Sequence, residues 1–202
     1  MTPADAWADI EAWLRPNAPA TFASLPEAAS GHVLQDLQAH IGGALPAELK
    51  DALLRHDGAG EFMLPGFHRF SSADTIRREY VAWRVADERR IQQLRDKHPQ
   101  NPGQYPRPLP GDHPLWHPCW IPVCHDESGN LLFVIHAEGE EAGRVGVFEH
   151  GDGASFPKGP AFDSLTRLLE TTAQALRSAS FPIWGEWEPY VDDQGFLEWK
   201  EA

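Results

Sequence analysis

The sequence predicts an α+β fold with a mainly antiparallel (mixed) central sheet flanked by helices. Three observations predict it. Helical periodicity dominates residues 1–58, short apolar runs separated by turn residues occupy 120–150, and an amphipathic stretch follows at 162–177. Helices first, strands grouped in the middle and a helix packed after them imply an antiparallel sheet covered on one side.

Each element has its own signal. Thr2-Pro3 is an N-cap with proline at the first helical position, Ala6, Trp7, Ile10, Trp13 and Leu14 recur at helical spacing, and Pro16 stops the run. A second helix starts near Pro26, buries Val33, Leu34, Leu37 and Ile41, and ends at Gly42-Gly43. A third begins at Leu45-Pro46, turns Leu49, Ala52 and Leu53 inward, and meets Gly58 as its left-handed terminus. Residues 61–70 read as strand, turn at Pro65-Gly66, and strand. Ser71 or Ser72 caps a long helix through His98, the chain's one basic stretch, where Asp and Glu neighbours offset the arginines. Residues 99–114 hold six of the 18 prolines and form a surface loop.

Beyond that loop, 120–124 and 131–135 are strands joined by a turn at 127–130, and 144–150 is a third strand. A glycine-bearing loop leads to a helix over 162–177 with Arg177 at its C-terminal end, as the macrodipole favours. The tail forms an extended piece and a hairpin at Asp193-Gln194-Gly195. All 202 residues read as a single domain, with a helical insertion and Pro-rich loop at 71–114 and a Trp-rich extension at 181–202.

Composition limits the function. With 17 Lys and Arg against 30 Asp and Glu the net charge is −13, so sequence-independent nucleic-acid binding is not expected. Residues 1–98 carry a balance of −3 and residues 99–202 one of −10. Two cysteines are too few for a disulfide framework, and neither an export signal nor a spanning segment is legible, so a cytoplasmic protein is expected. The acidic half is either a solvated surface or a field that speeds the arrival of a basic partner.

Chemistry-bearing clusters are few. His113, His117, Cys119, Cys124 and His125 include zinc-type ligands, but an odd offset along a strand turns the two cysteines to opposite faces. Cys124 and His125, adjacent on that strand, diverge and cannot serve as nucleophile and base. The expectation is therefore no catalytic residue, no metal and no cofactor. Trp7, Trp13, Trp83, Trp116 and Trp120 read as core residues. Trp184, Trp187 and Tyr190 lie among carboxylates, either as a protein-binding hot spot or as a tail strapped down by its own aromatic side chains.

The helix 45-LPAELKDALLRHDG-58, Trp120-Ile121-Pro122, the turn at Gly129-Asn130, the strand at 144–150 and the helix opening Ser164-Leu165 together resemble the SUKH superfamily. That superfamily groups a fungal cell-wall-assembly and killer-toxin-resistance regulator with bacterial immunity proteins of polymorphic toxin systems. The resemblance spans about residues 30–177; Asn130 stands where the pattern usually has Asp, and Ile135-His136 where it often has an aspartate. It implies a non-enzymatic protein that masks a cognate toxin, often a nuclease or deaminase. On that reading the partner is a basic protein toxin, with neither nucleic acid nor membrane bound. The contact face is Asp126, Glu127, Glu138, Glu140 and Glu141, with Trp184, Trp187, Asp192 and Asp193. The rival readings are a regulatory or scaffolding adaptor of the fungal type, and a small hydrolase or metal enzyme using the His/Cys cluster.

Overall fold

The computed structural model of the chain describes residues 1–66, 68–97, 116–178 and 187–201. The Pro-rich segment and Trp184 lie outside them. The N-terminal helices follow from their caps. In α1 (Pro3–Asn17) the Thr2 hydroxyl accepts from the Asp5 amide at 3.2 Å and the Asp5 carboxylate accepts from the Thr2 amide at 2.8 Å. Ala6, Trp7, Ile10 and Leu14 are its buried stripe, and the helix runs one residue past the predicted stop at Pro16. A short α2 (Pro19–Ser24), absent from the sequence reading, again opens on proline.

Helix α3 (Gly31–Ile41) starts later than Pro26, because the Ser30 hydroxyl accepts from the Val33 amide and fixes the first turn there. It ends at Gly42 with φ 84°, as expected. Helix α4 (Ala47–Arg55) stops short of Gly58, which is not its left-handed terminus. His56 is already extended there, its ring held between the Pro26 carbonyl (2.6 Å) and Glu11 (3.0 Å). Gly58, with φ 103°, serves the next junction, where the Asp57 carboxylate accepts from the Ala73 amide at the start of α5 (Ala73–Lys97).

The five-stranded sheet has the order β1 (Arg69–Phe70), β2 (Trp120–His125), β3 (Leu131–Ile135), β4 (Val145–Glu149), β5 (Gly153–Ser155), antiparallel throughout. The expected first strand of 61–70 is only a bridge between Leu64 and His68, and β5 falls where a loop was expected. Three residues with little apolar periodicity give no strand signal of their own.

The sheet is covered on both faces, not one. Every residue of β3 is buried. Leu132 and Val134 join the core built with α1, α4 and α6 (Leu165–Ser178), while Leu131, Phe133 and Ile135 join an aromatic cluster on the opposite face. Trp120 stacks on Phe133 at 4.5 Å, Trp83 of α5 meets Phe148 edge-on at 4.5 Å, and Trp116 fills the space between them. Trp7, Trp116 and Trp120 are core residues, as predicted, and Trp13 and Trp83 pack against the core while partly exposed. Pairing slips between Pro122 and Cys124, a bulge that turns both Val123 and Cys124 toward the helices. Cys119 packs on the other face, as expected, but not by strand alternation: it precedes β2, and the bulge resets the parity before Cys124.

The chain ends meet at the helical side. A 3₁₀ turn (Pro160–Phe162) leads into α6, which packs on α1 and pairs Arg177 with Asp9 at 2.9 Å. The tail forms a separate hairpin, β6 (Trp187–Val191) and β7 (Leu197–Glu201). Leu197 and Trp199 enter the core, the Leu197 amide donates to the Thr21 hydroxyl at 2.7 Å, and the Trp199 indole donates to the Met63 carbonyl at 2.8 Å. The tail is strapped to the N-terminal helices, the 61–63 segment and α6.

Two predictions follow from this packing. A Cβ built on Gly146 would sit 2.3 Å from the Phe133 ring, so Gly146→Ala costs about 2 kcal/mol through displaced aromatics. A lowered denaturation midpoint with an altered near-ultraviolet tryptophan signal checks it. Glu11, 7% exposed, is chelated by the Arg55 guanidinium at 2.6 and 2.5 Å. Burial pushes its carboxyl up, but the Arg55 and His56 hydrogen bonds prevail and hold it below the ordinary range. Its stabilisation is therefore present above the unfolded carboxyl pKa and lost as pH falls through the lower folded value. Glu11→Ala destabilises by about 2 kcal/mol at neutral pH, less than a fully buried pair because the Arg55 side chain is 43% exposed, and flattens that acid limb in thermal melts.

Candidate functional site

The turn between β2 and β3 is built by a carboxylate. Asp126 Oδ1 accepts from the amides of Ser128 and Asn130, both at 2.8 Å, and Gly129 supplies φ 86°. Asn130 uses both ends of its amide: Nδ2 donates to Asp126 Oδ2 at 2.7 Å and Oδ1 accepts from the His150 amide at 3.0 Å. Burial pushes Asp126 up, but the hydrogen bonds from Asn130 and Ser128 hold its carboxyl below the usual range, so it stays charged at neutral pH.

The hairpin of β6 and β7 repeats the device. Asp192 Oδ1 accepts from the amides of Gln194 (2.9 Å) and Phe196 (2.8 Å), with Gly195 also at φ 86°. Two of the carboxylates predicted to contact a partner are thus builders of turns, and the residues beside them, Glu127 and Asp193, are the exposed ones.

These two parts of the chain border one open cavity of about 610 Å³, lined by Met63, Gly66, Arg69, His125, Asp126, Glu127, Ser128 and Glu198. A neighbouring cavity of about 320 Å³ shares Gly66 and Asp126 and adds His68, Asn130, Val147, Glu149 and Trp187. His125 faces the Ser71 hydroxyl across 2.8 Å. Burial lowers the pKa of both His68 and His125, so the histidines are neutral at neutral pH while the carboxylates are charged. Arg69 is paired with Glu61 at 3.3 Å. The concavity therefore carries excess negative charge.

Asp126, Glu127 and Trp187 are brought together here, Trp187 half-buried against the core. Glu138, Glu140 and Glu141 lie in the connection from β3 to β4, at the opposite end of the strands, where Glu141 pairs with Arg144. The single acidic face expected from sequence is two patches. Met63, Arg69, His125 and Glu198 were missed as site residues. Of these, Glu198 stands out in the sequence only as one of the tail carboxylates and His125 only as a member of the His/Cys cluster.

The His/Cys cluster disperses. His113 lies outside the described residues, Cys124 is fully buried on the helical face with its thiol pushed above the ordinary range, and His125 bonds to Ser71 on the other side. Cys119 Sγ lies 2.8 Å from His117 Nδ1, but burial pushes its thiol up to about 11, which keeps it protonated. Among the described residues no three His, Cys, Asp or Glu side chains converge closely enough to hold a metal ion, and no helix is long and apolar enough to cross a membrane.

The turn yields a prediction. Asn130→Asp removes the donor to Asp126 and sets two carboxylates against each other, costing about 1–2 kcal/mol at neutral pH. Part of that loss is recovered as pH falls and one carboxyl takes a proton, which paired thermal melts at neutral and acid pH will read.

The family model described as SMI1 / KNR4 family (SUKH-1) matches residues 28–170, well over half of the chain. No curated protein matches the chain. The chain belongs to the SMI1/KNR4 (SUKH-1) family, and an immunity-type or regulatory role is consistent with that membership. Helices α1 and α2 and the β6–β7 hairpin lie outside the matched segment.

Proposed function

Starting from membership of the SMI1/KNR4 family, we propose that this protein is a non-enzymatic, cytoplasmic immunity protein. It binds and neutralises a cognate basic, nuclease-like toxin of a bacterial polymorphic, contact-dependent or type VI secretion system. The observation that carries the reading is the gathering of Asp126, Glu127, Glu149 and Glu198 around adjoining concavities, in a chain of net charge −13. A nuclease must be basic to hold phosphates, so an inhibitor of opposite sign gains both association rate and competition with substrate. The proposed contact surface is the turn-and-hairpin side, with Asp126, Glu127 and Trp187 around the cavities and Asp192 and Asp193 farther along, in the hairpin's turn. Glu138, Glu140 and Glu141 act at most as a distant steering patch. Family membership accommodates a regulatory adaptor equally, and one saturable, tight partner distinguishes the two.

The test is co-purification with the product of the neighbouring reading frame, at low and high salt, together with rescue of cells expressing that product. The expected result is a stoichiometric complex whose association rate falls with salt, and falls about tenfold further when Glu127 and Asp193 are both reversed to Lys. Salt-insensitive capture removes the electrostatic argument, and absence of capture or rescue overturns the immunity reading.

A further inference from the structure

The C-terminal hairpin has one face committed and one free. Trp187, Val191, Leu197 and Trp199 turn inward, while the cross-strand pairs Tyr190–Glu198 and Glu188–Lys200 turn outward. Tyr190 is 44% exposed, the largest aromatic surface among the described residues. Lys200 and Glu188 neutralise each other at 3.2 Å. Glu198 makes no ion pair with any described residue, and neither does Glu127, which lines the same 610 Å³ cavity.

We infer that this outward hairpin face, with the cavity at its edge, is a receptor for a lysine or arginine side chain on a basic protein partner. Met63 in the cavity wall and Tyr190, the cross-strand neighbour of Glu198, offer apolar surface to the aliphatic stem, and Glu198 and Glu127 in the same lining offer acceptors to the charged head. Among the described residues no three His, Cys, Asp or Glu side chains gather as a metal ion would require, and the open cavity of about 610 Å³ has room for a broad organic cation. The hairpin's hold on Thr21, Met63 and the core fixes this wall before any partner arrives, so little ordering cost falls on binding. The hairpin, with Tyr190 and Glu198, lies outside the family-matched residues 28–170, whereas Met63 and Glu127 lie within them. The inference rests on the immunity reading only for the partner's identity.

The whole chain, isotope-labelled, is titrated by NMR with acetyl-arginine amide and, as an uncharged control, acetyl-glutamine amide. Saturable shifts at Met63, Arg69, Ser128, Tyr190 and Glu198 with the arginine probe alone are expected. Glu198→Gln should weaken binding about fivefold to tenfold and Tyr190→Ala several-fold, with the amide spectrum reporting that each variant stays folded, while Glu140→Gln leaves it unchanged. Shifts centred on 138–141, an equal response to the uncharged probe, or no saturation overturns the receptor. Failure of toxin capture with this binding intact overturns the immunity reading alone. Capture at wild-type strength by both Glu198→Gln and Tyr190→Ala overturns the receptor alone.

Discussion

Strand β3 is buried on both faces, and the rest of the architecture answers to that constraint. Leu131 to Ile135 have no hydrophilic side to offer water, so each face of the sheet needs its own cover. On one side α1, α4 and α6 supply it. On the other, Trp83, Trp116 and Phe156 close over Trp120, Phe133 and Phe148. Helix α5 serves both sides: Ala73, Ile76 and Tyr80 enter the helical core, Trp83 packs on the aromatic cluster, and the Tyr80 hydroxyl donates to the Pro118 carbonyl at 2.9 Å. Gly146 follows from the same demand, since the Phe133 ring occupies the space a side chain there would take.

The helical layer is tied by polar chemistry where it meets the chain's irregular parts. Glu11 on α1 reaches Arg55 and His56 at the end of α4, and His56 reaches the Pro26 carbonyl. One carboxylate thus joins two helices and the loop that precedes α3. The hairpin of β6 and β7 is held likewise, by the Thr21 hydroxyl, the Met63 carbonyl, the Gly195 carbonyl that accepts from the Ala20 and Thr21 amides, and its inward apolar side chains. Rigid walls matter for recognition, because a surface already in place loses less conformational entropy when a partner docks.

Asp126 and Asp192 show how acidic residues divide their work in this protein. Each is spent on backbone amides of its own turn, and each presents the next residue, Glu127 or Asp193, to solvent. The field felt by an approaching protein comes from all four, but contact chemistry falls to the residues whose acceptors are free. The cavity beside Asp126 draws its charge from the middle and the tail of the chain, so the excess of acid in residues 99–202 becomes local only through folding.

The α+β class, the long helix after Ser72, the strands β2 to β4 and the hairpin at 193–195 are legible along the chain. Those signals are local: proline and glycine at fixed offsets, and apolar residues at a helix or strand period. The sequence also carried the family, through motifs that hold backbone shape. It left out β5 and α2, which have too few residues to carry a period, and it read one covered face where there are two. The run 131–135 records burial, but not which elements provide it. What no local signal carries is that α4 ends before Gly58, that Asp126 and Asp192 are taken up by turns, and that Glu198 lines one cavity with Glu127. Such outcomes depend on side chains that meet from distant parts of the chain, and no periodicity along the sequence encodes that distance.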